Sequence, residues 1–475
     1  MPSLPSRIIA IAERRLGSID AYYGPVQPLI DGYRDGQFFA QRIRTLSQTK
    51  GDEITVILQM LHQIKNTVTV VHGARGCAAM QNYLESYDGH GSPVFSTNLT
   101  EDNSIMGAEE VLRKTILAAV ERHKPEAVFV VTTPIVAINN DDVQTVAADL
   151  GEELNIPVVP IYADGFKSKT SANGYDIAYH SIAGFLTAEK RATDKKLVNI
   201  ISSDGSEEDV HKIAELVTSI GLNPNIFPRF GLLSAIRNSS NAVATIGLKP
   251  DSRVIGEFLE KERQVPYYLL EQPVGPEATS RWLGEITGKT GNKSEALEFI
   301  KSREKKKFDE LVADPDTNLS GRKIYISGDI YTAIALAGLV KEFGGSVTGL
   351  SIANIDKNSV ALLDENYKKN GWPFNIHIGD GQVFEQANIL SRDTPDVYLG
   401  AAEQAVHAAR LGIPSVNYAP MPLYGYDASI KLIRAIVRAC SNRSFVEKLG
   451  SYTSVYNRSS WFGKNPNWYI KQEVG

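Results

Sequence analysis

Cysteine is nearly absent from this chain: its 475 residues include two, Cys77 and Cys440. That scarcity excludes a disulfide framework, and it excludes a metal cage closed by cysteines of this chain alone. A cluster held here by thiolates would have to borrow ligands from another chain. Excess positive charge is missing too. Lys and Arg number 50 against 55 Asp and Glu, a formal charge of −5, so no global basic surface exists to hold a phosphate backbone, and nucleic acid is not an expected partner. No apolar run reaches the roughly 18 unbroken residues of a membrane helix, and Met1 to Arg14 lacks the apolar core and cleavage site of a secretory signal. The expectation is a cytoplasmic protein with no membrane partner. There is no P-loop, no complete Gly-x-Gly-x-x-Gly fingerprint and no Ser-His-Asp or zinc-ligand spacing.

What is present is an ordinary folded composition, 43% hydrophobic and 22% charged, in a chain long enough for two to four domains at roughly 100–200 residues each. From Val68 onward, short apolar runs recur, each followed by a turn and a helical pattern, which is the signature of βαβ units around parallel sheets. Expected strands are Val68–His72, Ala127–Thr132, Val158–Ile161, Leu197–Ile201, Ala242–Ile246, Lys323–Ser327, Ser346–Ser351, Phe374–Ile378 and Val397–Leu399. Charged breaks at Asp194-Lys195-Lys196 and after the helix Lys301–Leu311 suggest a mainly helical segment 1–60, α/β domains at 61–195, 196–320 and 321–450, and a docked tail 451–475 carrying Trp461 and Trp468. In the first segment, Arg7 to Arg15 and Asp35 to Leu46 read as amphipathic helices separated by breaks at Gly24-Pro25 and Gly32.

The most unusual local sequence is Val70-Val71-His72-Gly73-Ala74-Arg75-Gly76-Cys77, a strand entering a loop with two glycines and a thiol. Gly73 and Gly76 let the backbone take left-handed angles and leave room for a bulky group beside it. Loop N–H groups, with Arg75 close by, would favour the thiolate, the form that ligates iron or attacks as a nucleophile. The competing reading is that Cys77 is a small buried apolar residue at a helix start. Cys440, within the helical pattern Ile430–Ala439 and its continuation, reads as core. Ile326-Ser327-Gly328-Asp329 and Ile378-Gly379-Asp380-Gly381 read as plain strand-to-helix turns, and Lys305-Lys306-Lys307 as a solvated helix face.

An ordered set of pieces then resembles one family. The loop Val71–Cys77 is followed by Ser96-Thr97-Asn98-Leu99-Thr100-Glu101-Asp102 with Gly107, by Val131-Thr132-Thr133 with Asn140-Asp141-Asp142, by Ala163-Asp164-Gly165-Phe166 and by Gly174-Tyr175-Asp176. The series runs on through Val265-Pro266, Pro395-Asp396-Val397 and Gly412-Ile413-Pro414 to Gly425-Tyr426-Asp427. It is similar to the nitrogenase component 1 group: molybdenum–iron protein subunits, cofactor-scaffold relatives and nitrogenase-like reductases. The resemblance implies an α/β fold of three doubly wound parallel-sheet, Rossmann-like domains. It also implies an iron–sulfur cluster shared with a homologous α-type subunit, in an α2β2 assembly served by an ATP-hydrolysing iron protein.

Carried over residue by residue, the resemblance makes Cys77 a metal ligand. Gly73, Gly76 and His72 become its cofactor-binding neighbours, with His72 either donating to a cluster sulfide or serving as a structural strand-end histidine. The family's first cysteine falls on Asp52, which is then either an oxygen ligand or an acidic residue at a helix start. Its third cysteine falls on Pro134. The cysteine and histidine that hold the larger cofactor of α-type chains fall on Leu248 and Ser415, and neither binds iron well. The implied role is a β-type subunit of a nitrogenase or nitrogenase-like oxidoreductase, relaying electrons from the iron protein to a site in the partner. The alternatives are a scaffold subunit for cofactor assembly and a metal-free interaction subunit.

Overall fold

A computed structural model of the chain describes residues 22–36, 52–79, 91–163, 173–203, 205–292, 295–312, 314–379 and 383–453. The strands in chain order are β1 (Tyr22–Pro25), β2 (Thr67–His72), β3 (Val94–Ser96), β4 (Ala127–Thr132), β5 (Val158–Ile161), β6 (Asp194–Ser202), β7 (Asn223–Pro228), β8 (Ala242–Gly247), β9 (Tyr267–Leu269), β10 (Lys323–Gly328), β11 (Ser346–Ile352), β12 (Asn375–Ile378), β13 (Val397–Gly400) and β14 (Ser415–Asn417). They form three sheets, ordered β3-β2-β4-β5, β7-β6-β8-β9 and β1-β12-β11-β10-β13-β14. All pairings are parallel except β1 with β12. The α/β architecture with parallel sheets is therefore as expected.

Two compact units contain them. One comprises Lys50–Leu270 and Leu283–Leu297 and holds both four-stranded sheets; the other comprises Met1–Thr49, Glu271–Trp282 and Glu298–Gly475 and holds the six-stranded sheet. In the first unit, β2 (TVTVVH) and β4 (AVFVVT) are buried at every position. β-branched runs suit a pleated strand covered on both faces, and helices supply that cover. Ile116, Leu112 and Leu150 pack with Val68, Val128 and Val130 on one side, while Phe129, Val131, Ile57 and Leu61 lie in a second apolar cluster.

The nine expected strands all form, each end within three residues of its expected place. Five others escaped the pattern: β1, β3, β7, β9 and β14. Each lies at a sheet edge, where one row of hydrogen bonds is missing and short, polar or proline-bearing sequence is tolerated. Pro25 and Pro228 sit in two of them. The Gly24-Pro25 position, expected as a break between helices, is thus the end of an antiparallel edge strand, followed by the helix Val26–Arg34. The expected helix at Arg7 to Arg15, nearly all of Asp35 to Leu46, and the Trp461 and Trp468 tail lie outside the described residues.

Phe129 is fully buried at the centre of β4. Phe129→Ala is expected to cost about 3–5 kcal/mol, the range for deleting a large buried ring. Denaturant titration checks this, and a loss below about 1 kcal/mol would show that the β4 core is not close-packed.

Candidate functional site

In the first sheet the chain passes from β2 outward to β3, then returns to β4 on the other side of β2. Winding therefore reverses between β2 and β4, the topological point at whose carboxyl ends open α/β sheets bind ligands. The loop Gly73–Cys77 leaves β2 at that point and closes into a 3-10 turn, Arg75–Ala78, in which the Cys77 N–H donates to Ala74 O at 3.0 Å. At the corresponding reversals in the other sheets, side chains of this chain lie against the strand-end glycines. At β6 and β8, a Cβ on Gly247 would collide with the Ser252 hydroxyl, itself 2.9 Å from the Tyr267 hydroxyl. At β10 and β13, the Tyr418 hydroxyl donates to Ser327 O at 2.9 Å and lies over Gly328.

Hydrogen bonds stitch the base of the loop. Thr133 Oγ1 donates to His72 O at 2.8 Å, joining the end of β4 to the end of β2. The Gly73 N–H donates to Thr97 Oγ1 at 3.0 Å, and Gly73 O accepts from the Leu99 N–H at 3.0 Å. Gly73 does not adopt a left-handed angle. It must be glycine because a Cβ there would collide with the Thr133 side chain. Gly76 is not left-handed either; among the described residues a Cβ on it would meet nothing within 4 Å.

Cys77 is half-buried, packed partly on the apolar cluster of this unit. The expected thiolate is not favoured. Burial pushes the thiol up, the Asp52 carboxylate pushes it the same way, and a backbone hydrogen bond at Ala74 only partly opposes them. Arg75 is exposed, and the charge that acts on the thiol is that of Asp52. Asp52 is also the N-cap of the helix Glu53–His62, its Oδ1 accepting from the Thr55 N–H at 2.9 Å and from Thr55 Oγ1 at 2.8 Å. One carboxylate therefore starts a helix and acts on the thiol through space.

His72 is turned away from solvent, 0% exposed. Its Nδ1 lies 3.2 Å from Thr97 Oγ1, and its Nε2 lies 3.3 Å from Asp141 Oδ2, which is 4% exposed. Both nitrogens face groups of this chain. Burial pushes the imidazole down to about 4 from its usual 6.5, with the Glu109 carboxylate opposing, and burial followed by the Glu109 charge pushes the Asp141 carboxyl up. Thr97, Thr133 and Asp141 appear in the sequence motifs, but only the fold assigns their contacts. Where the family carries its third cysteine, Pro134 opens the helix Pro134–Asn139, a position that suits proline's fixed φ and missing N–H. Leu248 and Cys440 are buried, and Ser415 is half-buried in β14.

Among the described residues, no group of three or more His, Cys, Asp and Glu side chains could hold a metal ion, and no helix is long and apolar enough to cross a membrane. The donors present, one thiol with one carboxylate nearby, fit a share of a cluster and not a whole one.

Gly73→Ala is expected to lower stability by about 1–3 kcal/mol through overpacking, and Thr133→Ala in the same chain to recover part of that loss. Urea titration of the single and double variants checks the coupling; strictly additive losses would sink it. The second expectation concerns acid. Because folding lowers the His72 pKa, the unfolded chain binds that proton more readily, so stability falls as pH drops from about 6.5 towards 4, by at most about 3 kcal/mol. The raised Asp141 acts in the opposite direction and reduces the net loss. A His72→Gln variant should show a shallower slope over this window, and an unchanged slope would contradict the burial of a neutral ring.

Comparison with known proteins bears on the whole architecture. The model of the nitrogenase component 1 type oxidoreductase family matches residues 57–441. The nitrogenase molybdenum-iron protein alpha chain of Methanococcus maripaludis is 24% identical over 408 residues, covering 80% of this chain and 83% of its own. The beta chain from Methanococcus maripaludis strain S2 is 23% identical over 427 residues, covering 80% and 91%. The cofactor biosynthesis protein NifN of a Nostoc species is 21% identical over 385 residues, covering 76% and 83%. A solved structure, nitrogenase Cp1 at pH 6.5, shares the fold with a TM-score of 0.70 over 85% of this chain and 96% of its own, at 18% identity. Overall identity does not separate the subunit types. With the family model spanning most of the chain, this protein belongs to the nitrogenase component 1 type oxidoreductase family.

Proposed function

We propose that the chain is a β-type subunit of a cytoplasmic nitrogenase-like oxidoreductase complex, completing an iron–sulfur cluster at the interface with a homologous α-type subunit. An ATP-hydrolysing iron protein would supply the electrons, since this chain has no P-loop of its own. The observation that carries the reading is the incomplete ligand set: one thiol, Cys77, presented beside Asp52 at the winding reversal of the first sheet. When bound, such a cluster supplies one-electron storage. The chain's own part is to offer Cys77 from a loop tied down at Gly73, to hold Asp52 beside it, and to carry no side chain at Gly76. The residues standing at the larger cofactor's ligand positions, Leu248 and Ser415, support a non-α role.

A partner would also cover apolar surface. Ile105 and Met106 are 80% and 84% exposed on the helix Glu101–Met106, and Ile138 is exposed on the neighbouring helix Pro134–Asn139. Exposed apolar side chains grouped near a ligand loop suit burial against another subunit.

A second reading rests on the single thiol. The scaffold subunit of cofactor assembly is expected to keep one thiolate at this place, and a NifN protein is among the relatives. The complex purified with its partner should lose iron and visible iron–sulfur absorbance on Cys77→Ala; unchanged iron and spectrum would discard the ligand role. Asp52→Ala should disturb the bound iron and Asp52→Cys preserve it if the carboxylate ligates. Mixed with an iron protein and ATP, a reductase gives sustained substrate reduction, whereas a scaffold releases an iron-rich cofactor that activates a deficient acceptor.

A further inference from the structure

The helix Arg443–Thr453 closes the described part of the chain, and it carries apolar side chains on two faces. One face is packed. Gly450 lies so close to the turn at Leu411-Gly412 that a Cβ on it would run into the Gly412 backbone, and Val446, one turn earlier on the same side, is half-buried. Arg443 holds the start of the helix, its Nη1 2.8 Å from Asp396 Oδ1. The other face is open: Phe445, Leu449 and Tyr452 are 75%, 44% and 71% exposed. Spacings of four and three residues put these three on one side of the helix, roughly 110° around from the line through Val446 and Gly450. Single exposed apolar side chains are ordinary on a protein surface, but three in a line on one helix form a face that calls for cover.

Thr453 is the last described residue, and 22 more follow it in the sequence. Five of them are aromatic, Tyr456, Trp461, Phe462, Trp468 and Tyr469, against 8% of the chain as a whole. The reach required is short. Phe445 lies about 12 Å back along the helix from Thr453, at roughly 1.5 Å per residue. The stretch from Thr453 to Trp461 extends to about 26 Å at roughly 3.3 Å per residue. Reversing direction takes about four residues, for which Asn457 and Ser459-Ser460 are suited, and the remainder still spans the stripe. Covalent attachment gives this segment an effective concentration on the order of millimolar at the stripe, an advantage that a separate chain lacks. We propose that residues 454–475 fold back along the helix Arg443–Thr453 and seat Trp461 and Phe462 on Phe445, Leu449 and Tyr452. Nothing in this contact depends on Cys77 or on bound iron.

Fluorine NMR of the full-length chain labelled with 5-fluorotryptophan tests this, with Trp461→Phe and Trp468→Phe assigning the tail signals among the four tryptophans. A synthetic peptide of residues 454–475 supplies the uncovered reference. In the parent, the Trp461 signal should stand apart from the peptide's and be shielded from a soluble paramagnetic agent. Phe445→Ser combined with Leu449→Ser should abolish both differences. Trp282 and Trp372, buried in the same unit, should keep their shifts and so report that the fold is intact. Tyr452→Ser alone, a milder change at an exposed position, should give part of the same loss. A Trp461 signal at the peptide's position in the parent overturns the proposal, as does a shielded Trp461 that the stripe variants leave unmoved. A parent dimer in sedimentation that the double variant dissociates, with Trp461 unmoved, assigns the stripe to a second copy of the chain and overturns it too.

Discussion

Parallel strands cannot be joined by a tight turn, so each crossover must carry the chain over a face of the sheet, and the direction of crossing has to reverse somewhere if both faces are to be covered. That constraint organises this protein three times. In the first unit it places His72 and Thr132 side by side at the ends of β2 and β4, and the loops that follow must diverge from there. Thr133 and Thr97 close the base of the resulting crevice with hydroxyls. Beyond them lies Cys77, half-buried and under the charge of the Asp52 carboxylate. The other two reversals obey the same geometry, with Ser252 and Tyr267 against Gly247 and Tyr418 against Gly328. A fold-level rule thus names three candidate crevices, and among the described residues the first of them carries the thiol Cys77.

The electrostatics of that site are set first by burial. Burial pushes the Cys77 thiol up with help from the Asp52 charge, pushes the His72 imidazole down against the Glu109 charge, and pushes the Asp141 carboxyl up with help from Glu109. A bound metal centre reverses that logic, stabilising both thiolate and carboxylate. The same carboxylate that disfavours the free Cys77 thiolate would become an asset beside iron.

Buried polar groups elsewhere show what a purely structural network looks like. In the six-stranded sheet, the Tyr325 hydroxyl lies 2.8 Å from Ser351 Oγ, Ser351 Oγ lies 3.3 Å from His377 Nδ1, and His377 Nε2 lies 3.0 Å from Glu385 Oε2. The four side chains are all but sealed from solvent on neighbouring strands and the helix Val383–Asp393. A Glu-His-Ser order invites a hydrolytic reading, but the serine is closed in by the sheet and its covering helix. Tyr325 stacks on Tyr398, whose hydroxyl accepts from Gln386, so the network holds the sheet face to its helix.

The amino-acid sequence by itself determined the class of fold and singled out the loop at Cys77 as the candidate site. Continuous β-branched runs such as TVTVVH and AVFVVT have one stable use, as strands covered on both faces, and the scarcity of cysteine already limited this chain to a share of any cluster. The motif around Cys77 was legible because glycine and cysteine are chemically distinctive. Edge strands such as β3 and β14 were not, because partial burial leaves little periodic signal. Contacts between distant segments were also beyond reading. Only the tertiary structure decided that Gly73 is required by Thr133, sixty residues away, rather than by a left-handed turn. It alone turned both nitrogens of His72 to Thr97 and Asp141, and brought the charge of Asp52 to bear on Cys77. The physical reason is that burial and through-space charge depend on which strands lie side by side, and local sequence pattern carries the period of a strand but not the identity of its neighbour.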